Sequence, residues 1–152
     1  MKRNRYYIVY ERLKIMIQYD DCIIFLLAKA YQKAHGNFKK RLAPYGLTPI
    51  QYLILEALWK EEGVSAGDIG KKLVLDSATL SGVLDRMAEK EWIFKETDLE
   101  DKRFLRIFLS GRAKEVRVVL VQEREQANDE ILHDLTVEEK VLLKRLLRDL
   151  KG

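Results

Sequence analysis

Residues 73–90 have the sequence LVLDSATLSGVLDRMAEK, in which a short turn leads into a stretch with helical periodicity. Asp76 or Ser77 can cap this helix, because short polar side chains accept a hydrogen bond from an N–H group of a first helical turn. Apolar residues recur at three- and four-residue steps along one side, at Leu80, Val83, Leu84, Met87 and Ala88. The pattern predicts a helix over residues 77–89 with one buried face. Its outward face carries Ala78, Thr79, Gly82, Asp85, Arg86 and Glu89.

Two capping signatures upstream predict two further helices. Thr48 precedes Pro49 and is followed by Gln51, and Ser65 is followed three residues later by Asp68. In each pair the hydroxyl can accept a hydrogen bond from the backbone N–H of the later residue, and the later side chain can accept one from the backbone N–H of the first residue. Proline suits the first helical position. The second of these helices is short, with inward positions at Ala66, Ile69 and Leu73.

The apolar period changes from 3.6 to 2 after residue 90. Residues 93–97 and 104–109 are rich in β-branched and aromatic side chains, and the polar run 98–103 suits a hairpin loop. These residues predict a two-stranded ribbon with a charged tip. Three short helices followed by such a ribbon predict a winged helix-turn-helix over residues 48–110, which we call the winged lobe.

Longer helices are predicted on both sides of the winged lobe. One runs from Asp21 to near Pro44, a second is capped by Ser110 and runs to about Leu132, and a third follows the capping pair at Thr136. The predicted fold class is therefore mainly α with a small β-hairpin. Residues 1–152 form one chain, in which residues 21–45 and 111–151 make up a second lobe.

The apolar stripes of these flanking helices are more extensive than a 63-residue winged core can cover. A second copy of the chain would bury them, so the sequence predicts a homodimer with N- and C-terminal dimerisation helices.

Composition excludes several classes of protein. Hydrophobic residues make up 47% and charged residues 34% of 152 positions, and there are only two prolines, which predicts a globular chain. The longest apolar run, Cys22 to Ala28, has seven residues, whereas a bilayer span needs about 20. Charged residues interrupt the apolar part of the basic N-terminal segment and no cleavage site follows, so we expect a cytoplasmic protein without membrane association.

Metal and catalytic chemistry have little support in the sequence. Cys22 is the single cysteine, and His35 and His133 lie far apart in the chain, so neither a disulfide nor a His/Cys metal cluster is expected. There is no nucleophile–base order, no glycine-rich phosphate loop and no paired-carboxylate spacing. We therefore expect no enzyme and no cofactor.

The outward face of residues 77–89 is suited to double-stranded DNA. Ala78 and Gly82 make the helix slim, so its backbone can approach base edges in a major groove about 12 Å wide. Short hydroxyls are available at Ser77, Thr79 and Ser81. Glycine costs about 1 kcal/mol of helix propensity relative to alanine, which groove approach would explain. The alternative is that Gly82 only packs against a neighbouring helix.

The charged tip of the ribbon is the second candidate contact. Lys102 and Arg103 can reach a phosphate or a narrow minor groove, and the neighbouring carboxylates of Asp98 and Asp101 can hold the Arg103 guanidinium in one orientation. The alternative is an ordinary solvated turn.

Charge is distributed unevenly, and this opposes nucleic-acid binding by the winged lobe. Residues 1–47 hold ten Lys/Arg and three Asp/Glu, whereas residues 48–110 hold nine and twelve, a net charge of −3. Affinity for DNA would have to come from local cations, which are Lys71, Lys72, Arg86, Lys102, Arg103 and Arg106, with a contribution from residues 39–41.

Three sequence blocks resemble the multiple-antibiotic-resistance-regulator (MarR) family. They are LTPIQY at 47–52, LDSATLS at 75–81 and DLEDKR at 98–103, the last followed by Leu109-Ser110-Gly111. The resemblance spans about residues 21–150, and its most specific part is the wing pattern of Asp98, Asp101 and Arg103. Leu99 departs from the pattern where proline is frequent, and Trp92 where glycine is frequent, so the resemblance does not fix the angle at which the wing begins.

The resemblance implies a homodimeric transcriptional regulator, most simply a repressor. It implies that Arg103 enters the minor groove, that Asp101 steadies it, and that residues 77–86 contact the major groove. The two-fold axis of such a dimer implies a near-palindromic operator.

Two signals are compatible with the resemblance. One is a small aromatic or anionic effector bound between the two lobes, for which the candidates are Tyr31, His35, Tyr45, Tyr52 and Trp59. The other is a peroxide sensed through Cys22, as in one branch of the family, although that branch's cysteine aligns two residues away, at Ile24. The alternative for Cys22 is a buried or inert thiol.

One rival function remains beside DNA binding. A winged helix that binds protein instead of DNA would suit the acidic winged lobe.

The N-terminal segment has two possible roles. Residues 1–19 would form either an extra helix or a basic arm through Lys2, Arg3 and Arg5.

Overall fold

The computed structural model describes residues 19–151, so the hypotheses about a basic arm or an extra helix concern residues that lie largely outside the described part. After a 3-10 turn at Tyr19–Asp21, helix α1 spans Ile23–Leu42 and a second 3-10 turn spans Ala43–Tyr45. Helix α2 spans Pro49–Lys60 and strand β1 spans Val64–Ser65. Helices α3 and α4 span Ala66–Leu73 and Ser77–Glu89, and strands β2 and β3 span Ile93–Thr97 and Leu105–Leu109. Helices α5, α6 and α7 span Gly111–Glu115, Arg117–Ile131 and Val137–Lys151.

The predicted helix starts agree with the structure. The Thr48 hydroxyl accepts from the Gln51 N–H and the Gln51 side chain accepts from the Thr48 N–H, and Ser65 and Asp68 make the same reciprocal pair. Asp76, not Ser77, caps α4, because its carboxylate accepts from the Thr79 N–H at 2.8 Å. These caps set where the three helices of the winged lobe begin.

Two predicted elements need correction. The ribbon is the larger part of a three-stranded antiparallel sheet of order β1-β3-β2, in which Val64 pairs with Ile107. The helix expected from Ser110 to Leu132 is broken at Val116 into α5 and α6. Strand β1 is two residues long and the helix break is one residue long, so neither leaves a detectable change in the spacing of apolar residues.

The core of the winged lobe joins all its elements. Its largest fully buried side chains include Tyr52, Leu55 and Leu58 from α2, Ile69 from α3, Leu84 and Met87 from α4, Trp92 and Ile107. Glu91 has a positive φ of 57°, and it is followed by Trp92, whose N–H donates to the Met87 carbonyl at 2.9 Å. The left-handed residue therefore lies at Glu91, and Trp92 is a core residue with the Arg112 guanidinium stacked 4.1 Å from its ring centroid.

Two of the flanking helices, α1 and α6, meet beside this core. α1 packs against α6, where Arg41 donates to Glu123 at 2.7 Å, to Gln126 at 2.6 Å and to Glu130. The Trp59 indole N–H donates to the Ala113 carbonyl at 3.1 Å and fixes α5 against α2. No helix within residues 19–151 is long and apolar enough to span a membrane.

Candidate nucleic-acid interface

Helix α4 has the two faces that its sequence predicts. Leu80, Val83, Leu84 and Met87 are buried against the core. On the other side, exposed residues are Ser77, Ala78, Thr79, Ser81, Asp85, Arg86 and Glu89, and Gly82 is half-buried. The small residues thus form one continuous outer surface over the first two turns.

Packing within the chain does not require glycine at position 82. Among residues 19–151, a Cβ added to Gly82 would meet only the Nη1 atom of Arg86, at 3.4 Å, which is the far end of a flexible side chain. By contrast, a Cβ at Gly70 would lie 3.2 Å from the Leu75 carbonyl oxygen, where α3 approaches the turn. Close packing therefore explains Gly70 and does not explain Gly82.

The turn between α3 and α4 is held in a strained conformation. Val74 has a φ of 54°, in the left-handed region that a β-branched residue rarely adopts, and it is exposed. The Leu75 N–H donates to the Gly70 carbonyl at 3.0 Å and closes the turn. The Thr79 hydroxyl and backbone N–H both bond to Asp76 and lower the pKa of its carboxyl, so the cap stays ionised.

The tip of the wing is an ordered loop. Asp98 is buried and accepts the backbone N–H groups of Glu100 and Asp101 at 2.8 and 3.0 Å, while its second oxygen pairs with Arg106. These contacts lower the pKa of Asp98 from 3.8 to about 2. The Asp98 N–H donates to the Phe104 carbonyl, and the Phe104 N–H donates to the Asp101 carbonyl.

The two wing carboxylates have different partners. Asp101 pairs with the Arg103 guanidinium at 2.7 Å, and this contact is the main cause of the lowered pKa of Asp101. Asp98 pairs with Arg106 instead, so the expectation that both carboxylates orient Arg103 is wrong for Asp98. The Arg103 side chain is 84% exposed, so a solvent-facing cation lies in a defined orientation at the tip.

Several of the local cations already have acidic partners. Lys72 bonds to Glu61 at 2.6 Å, and Arg41 is held by Glu123 and Glu130, so neither is a free positive charge. A contact that sequence reasoning missed joins Lys95 in β2 to Asp85 in α4 at 2.6 Å and ties the wing to the helix. Within residues 19–151, Lys71, Arg86 and Lys102 form no ion pair.

An open groove of about 600 Å³ runs beside α4. Lys71 lies on one wall, Ser77 and Ser81 lie on another, and Lys95 and Leu105 of the sheet close the third. Two serine hydroxyls of α4 and two lysines thus border the same concave surface.

A separate pocket of about 350 Å³ lies between the flanking helices and α2. It brings together three of the five aromatic candidates, Tyr31, His35 and Tyr52, and adds Phe38 and Arg124. Tyr45 and Trp59 lie elsewhere, bonded to Glu123 and to the Ala113 carbonyl. Arg124 was missed because an arginine on an amphipathic helix is common in sequence, and only the packing of α6 brings it to the pocket.

Two buried polar atoms beside this pocket have no partner within residues 19–151. They are the Tyr52 hydroxyl and the Arg124 Nε, although the other nitrogens of Arg124 bond to Glu56 and Glu125. Burial raises the pKa of Tyr52 to about 12, so its hydroxyl keeps its proton. Leaving such groups without a hydrogen bond costs free energy.

Cys22 lies at the start of α1, at the N-cap, and its side chain is exposed. Of the alternative of a buried or inert thiol, burial is therefore wrong, and an inert thiol stays a prediction.

Comparison with known proteins agrees with this geometry. A model of the MarR family matches residues 47–104, from just before α2 to the end of the loop at the tip of the wing. The transcriptional regulator TtmR of Methylorubrum extorquens is 36% identical over 91 residues, which are 60% of this chain and 45% of TtmR. The chain thus matches about half the length of that relative.

Two solved structures have the same fold over nearly their whole length. A probable transcriptional regulator from Pseudomonas aeruginosa has a TM-score of 0.83 at 28% identity, covering 88% of this chain and 99% of that one. BpsR of Bordetella bronchiseptica, whose DNA binding is regulated by 6-hydroxynicotinic acid, has a TM-score of 0.84 at 25% identity, covering 89% and 96%.

Proposed function

Because the chain belongs to the MarR family and has its winged helix-turn-helix fold, we propose that it is a cytoplasmic, homodimeric repressor that binds a near-palindromic operator. The observation that carries the proposal is the outer surface of α4, small and hydroxyl-rich, beside a wing whose Arg103 is exposed and held by Asp101. Such a helix suits the major groove, and such an arginine suits the adjacent minor groove.

Apolar surface on the flanking helices supports the dimer. Exposed side chains on α1 and α7 include Ile23, Ile24, Leu26, Leu27, Val141, Leu142, Leu146, Leu147 and Leu150. Exposed apolar side chains in this number on two helices are typical of a protein–protein interface. In analytical ultracentrifugation, the wild-type protein should sediment as a dimer and Leu146→Glu as a monomer. Lys144→Ala, on the same helix, is the control and should sediment as a dimer.

Selection from a random duplex library tests the DNA-binding proposal. We expect palindromes whose half-sites are about 34–36 Å apart, the spacing of one helical turn. Fluorescence anisotropy should then give at least about a thousandfold preference over random duplex, with affinity falling steeply as salt rises. A flat salt response with equal affinity for both duplexes would favour a winged helix that binds protein.

Repression itself is tested with a reporter gene behind the selected palindrome. Expression should fall when the chain is present and should stay low with a dimerisation-competent control such as Lys144→Ala. A rise in expression would identify an activator.

The pocket beside Tyr52 supports release by a small aromatic acid. The pocket has aromatic walls, and the Tyr52 hydroxyl and Arg124 Nε have no partner in the described part of the chain, which suits a planar ligand with oxygen acceptors. Calorimetric titration with 6-hydroxynicotinic acid and benzoate tests this, and Tyr52→Phe should bind more weakly than Tyr45→Phe, whose ring lies outside the pocket. Equal binding by the two variants would mean that the ligand does not bind in this pocket.

Exposure of Cys22 at the N-cap of a 20-residue helix favours a peroxide signal as the second candidate. If this candidate holds, cumene hydroperoxide releases DNA from the wild-type protein and not from Cys22→Ser. Equal release from both proteins excludes it.

A further inference from the structure

Leu99 is the most exposed large apolar side chain among residues 19–151, at 97% of its full surface. It lies at the tip of the wing, between Asp98 and Glu100. Turns of this kind favour Gly, Pro, Asn, Asp and Ser, because those residues suit the backbone or bond to it. A leucine there gains nothing from the fold of the monomer.

The backbone that carries Leu99 is fixed on both sides. Asp98 accepts the N–H groups of the two residues after Leu99, at 2.8 and 3.0 Å, and pairs with Arg106 in β3. The hydrogen bonds between Asp98 and Phe104 and between Phe104 and Asp101 close the loop at 2.9 and 3.0 Å. Leu99 is therefore presented on a preorganised tip, so placing it against a partner costs little conformational entropy.

The surroundings of Leu99 indicate the chemistry of that partner. Lys102 and Arg103 lie on the same seven-residue loop, and Phe104 is 53% exposed beside them. Cations next to exposed apolar groups suit a polyanion with an apolar interior. A duplex entered through its minor groove has this character, since phosphates line the groove and the apolar faces of stacked bases are reached where a side chain enters a base step.

We propose that Leu99 is an apolar wedge that enters the minor groove beside Arg103 and partly unstacks one base step. This inference rests on the proposed function, because it needs the wing to meet a duplex. Unstacking costs least at flexible pyrimidine–purine steps. A TA or CA step is therefore required where each wing tip lands, outside the bases that α4 contacts.

The experiment compares Leu99→Ser with Glu100→Ser on the palindrome that the wild-type protein selects. Both side chains are exposed on the same tip and both become serine, but only one loses apolar surface. We expect Leu99→Ser to bind about tenfold more weakly, with the slope of log affinity against log salt unchanged, because no charge is lost. Glu100→Ser should bind at least as tightly as the wild type, and Leu99→Met should retain most of the affinity.

A second readout reports unstacking directly. With 2-aminopurine in place of the adenine at the step under the wing, binding of the wild-type protein and Glu100→Ser should raise its fluorescence, and binding of saturating Leu99→Ser should not. If Leu99→Ser binds as tightly as the wild type, or raises the 2-aminopurine fluorescence as much, the wedge is overturned and the proposed function is unaffected. Failure of the wild-type protein to prefer any duplex contradicts the proposed function first, and the wedge with it.

Discussion

Asp101 accepts the backbone N–H of Arg103 at 3.0 Å and also its guanidinium, with Nε at 2.9 Å and Nη2 at 2.7 Å. The two residues are two positions apart, so the contact is local and forms whenever the wing folds. An exposed ion pair of this kind contributes little to stability. Its effect is to hold a long, flexible cation in one orientation before any partner arrives.

Arg103→Ala should weaken binding to the selected palindrome and reduce the salt slope by about 1, because one cation that displaces counterions is lost. Anisotropy titrations at several salt concentrations measure both quantities. Arg145→Ala, on α7, is the control and should change neither. An unchanged slope for Arg103→Ala would mean that the wing does not touch the duplex.

Asp98 should make the wing sensitive to acid only at very low pH. Its pKa falls from 3.8 to about 2 on folding, so the stability it contributes is complete above about pH 4 and is lost as the pH falls through 2. Asp98→Asn should be less stable than the wild type at pH 7, and the two should converge below pH 2. Urea unfolding at several pH values checks this, and a constant difference across that range would contradict it.

Relief of backbone strain at the helix-turn-helix turn should stabilise the protein. Val74 has a φ of 54°, which costs a non-glycine residue about 1–2 kcal/mol. After the entropy cost of glycine, Val74→Gly should gain about 1 kcal/mol and raise Tm by about 2–4 °C. The control Gln122→Gly, in the middle of α6, should lose about 1 kcal/mol, because its backbone is already helical. A Val74→Gly protein that melts below the wild type would contradict the strain.

Tyr52→Phe should raise stability while it weakens ligand binding. The Tyr52 hydroxyl is buried without a partner in the described chain, and such a group costs about 1 kcal/mol or more. Thermal unfolding without ligand should therefore favour Tyr52→Phe. A loss of stability would show that the hydroxyl is satisfied in solution.

Sequence patterns predicted the winged lobe well because its signals are local. Capping pairs and apolar periods act within four residues, so Thr48, Ser65 and the buried stripe of α4 were found at the correct positions. The two-residue strand β1 exists only because β3 lies beside it, and the break at Val116 has no counterpart in the apolar period.

The candidate site was predictable where it lies on one element and not where it joins several. Arg103 and Asp101 are neighbours in sequence, so their contact followed from the pattern. Arg106 reaches Asp98 across the hairpin, and Arg124 reaches the pocket from α6, contacts that depend on strand register and helix packing. The ion pairs of Glu61 with Lys72 and of Asp85 with Lys95 also join different elements, so they were missed for the same reason.

The affinity of Gly82→Ala for the selected palindrome tests most directly whether α4 lies in the major groove. An added methyl has room in the free protein, since within the described residues it meets only the end of Arg86, so helix stability should rise by about 1 kcal/mol. If the α4 backbone approaches base edges at Gly82, the same methyl should weaken binding at least about tenfold, because it holds the helix away from them. If Gly82→Ala is more stable than the wild type and binds the palindrome with unchanged affinity, the backbone of α4 does not approach the DNA at Gly82.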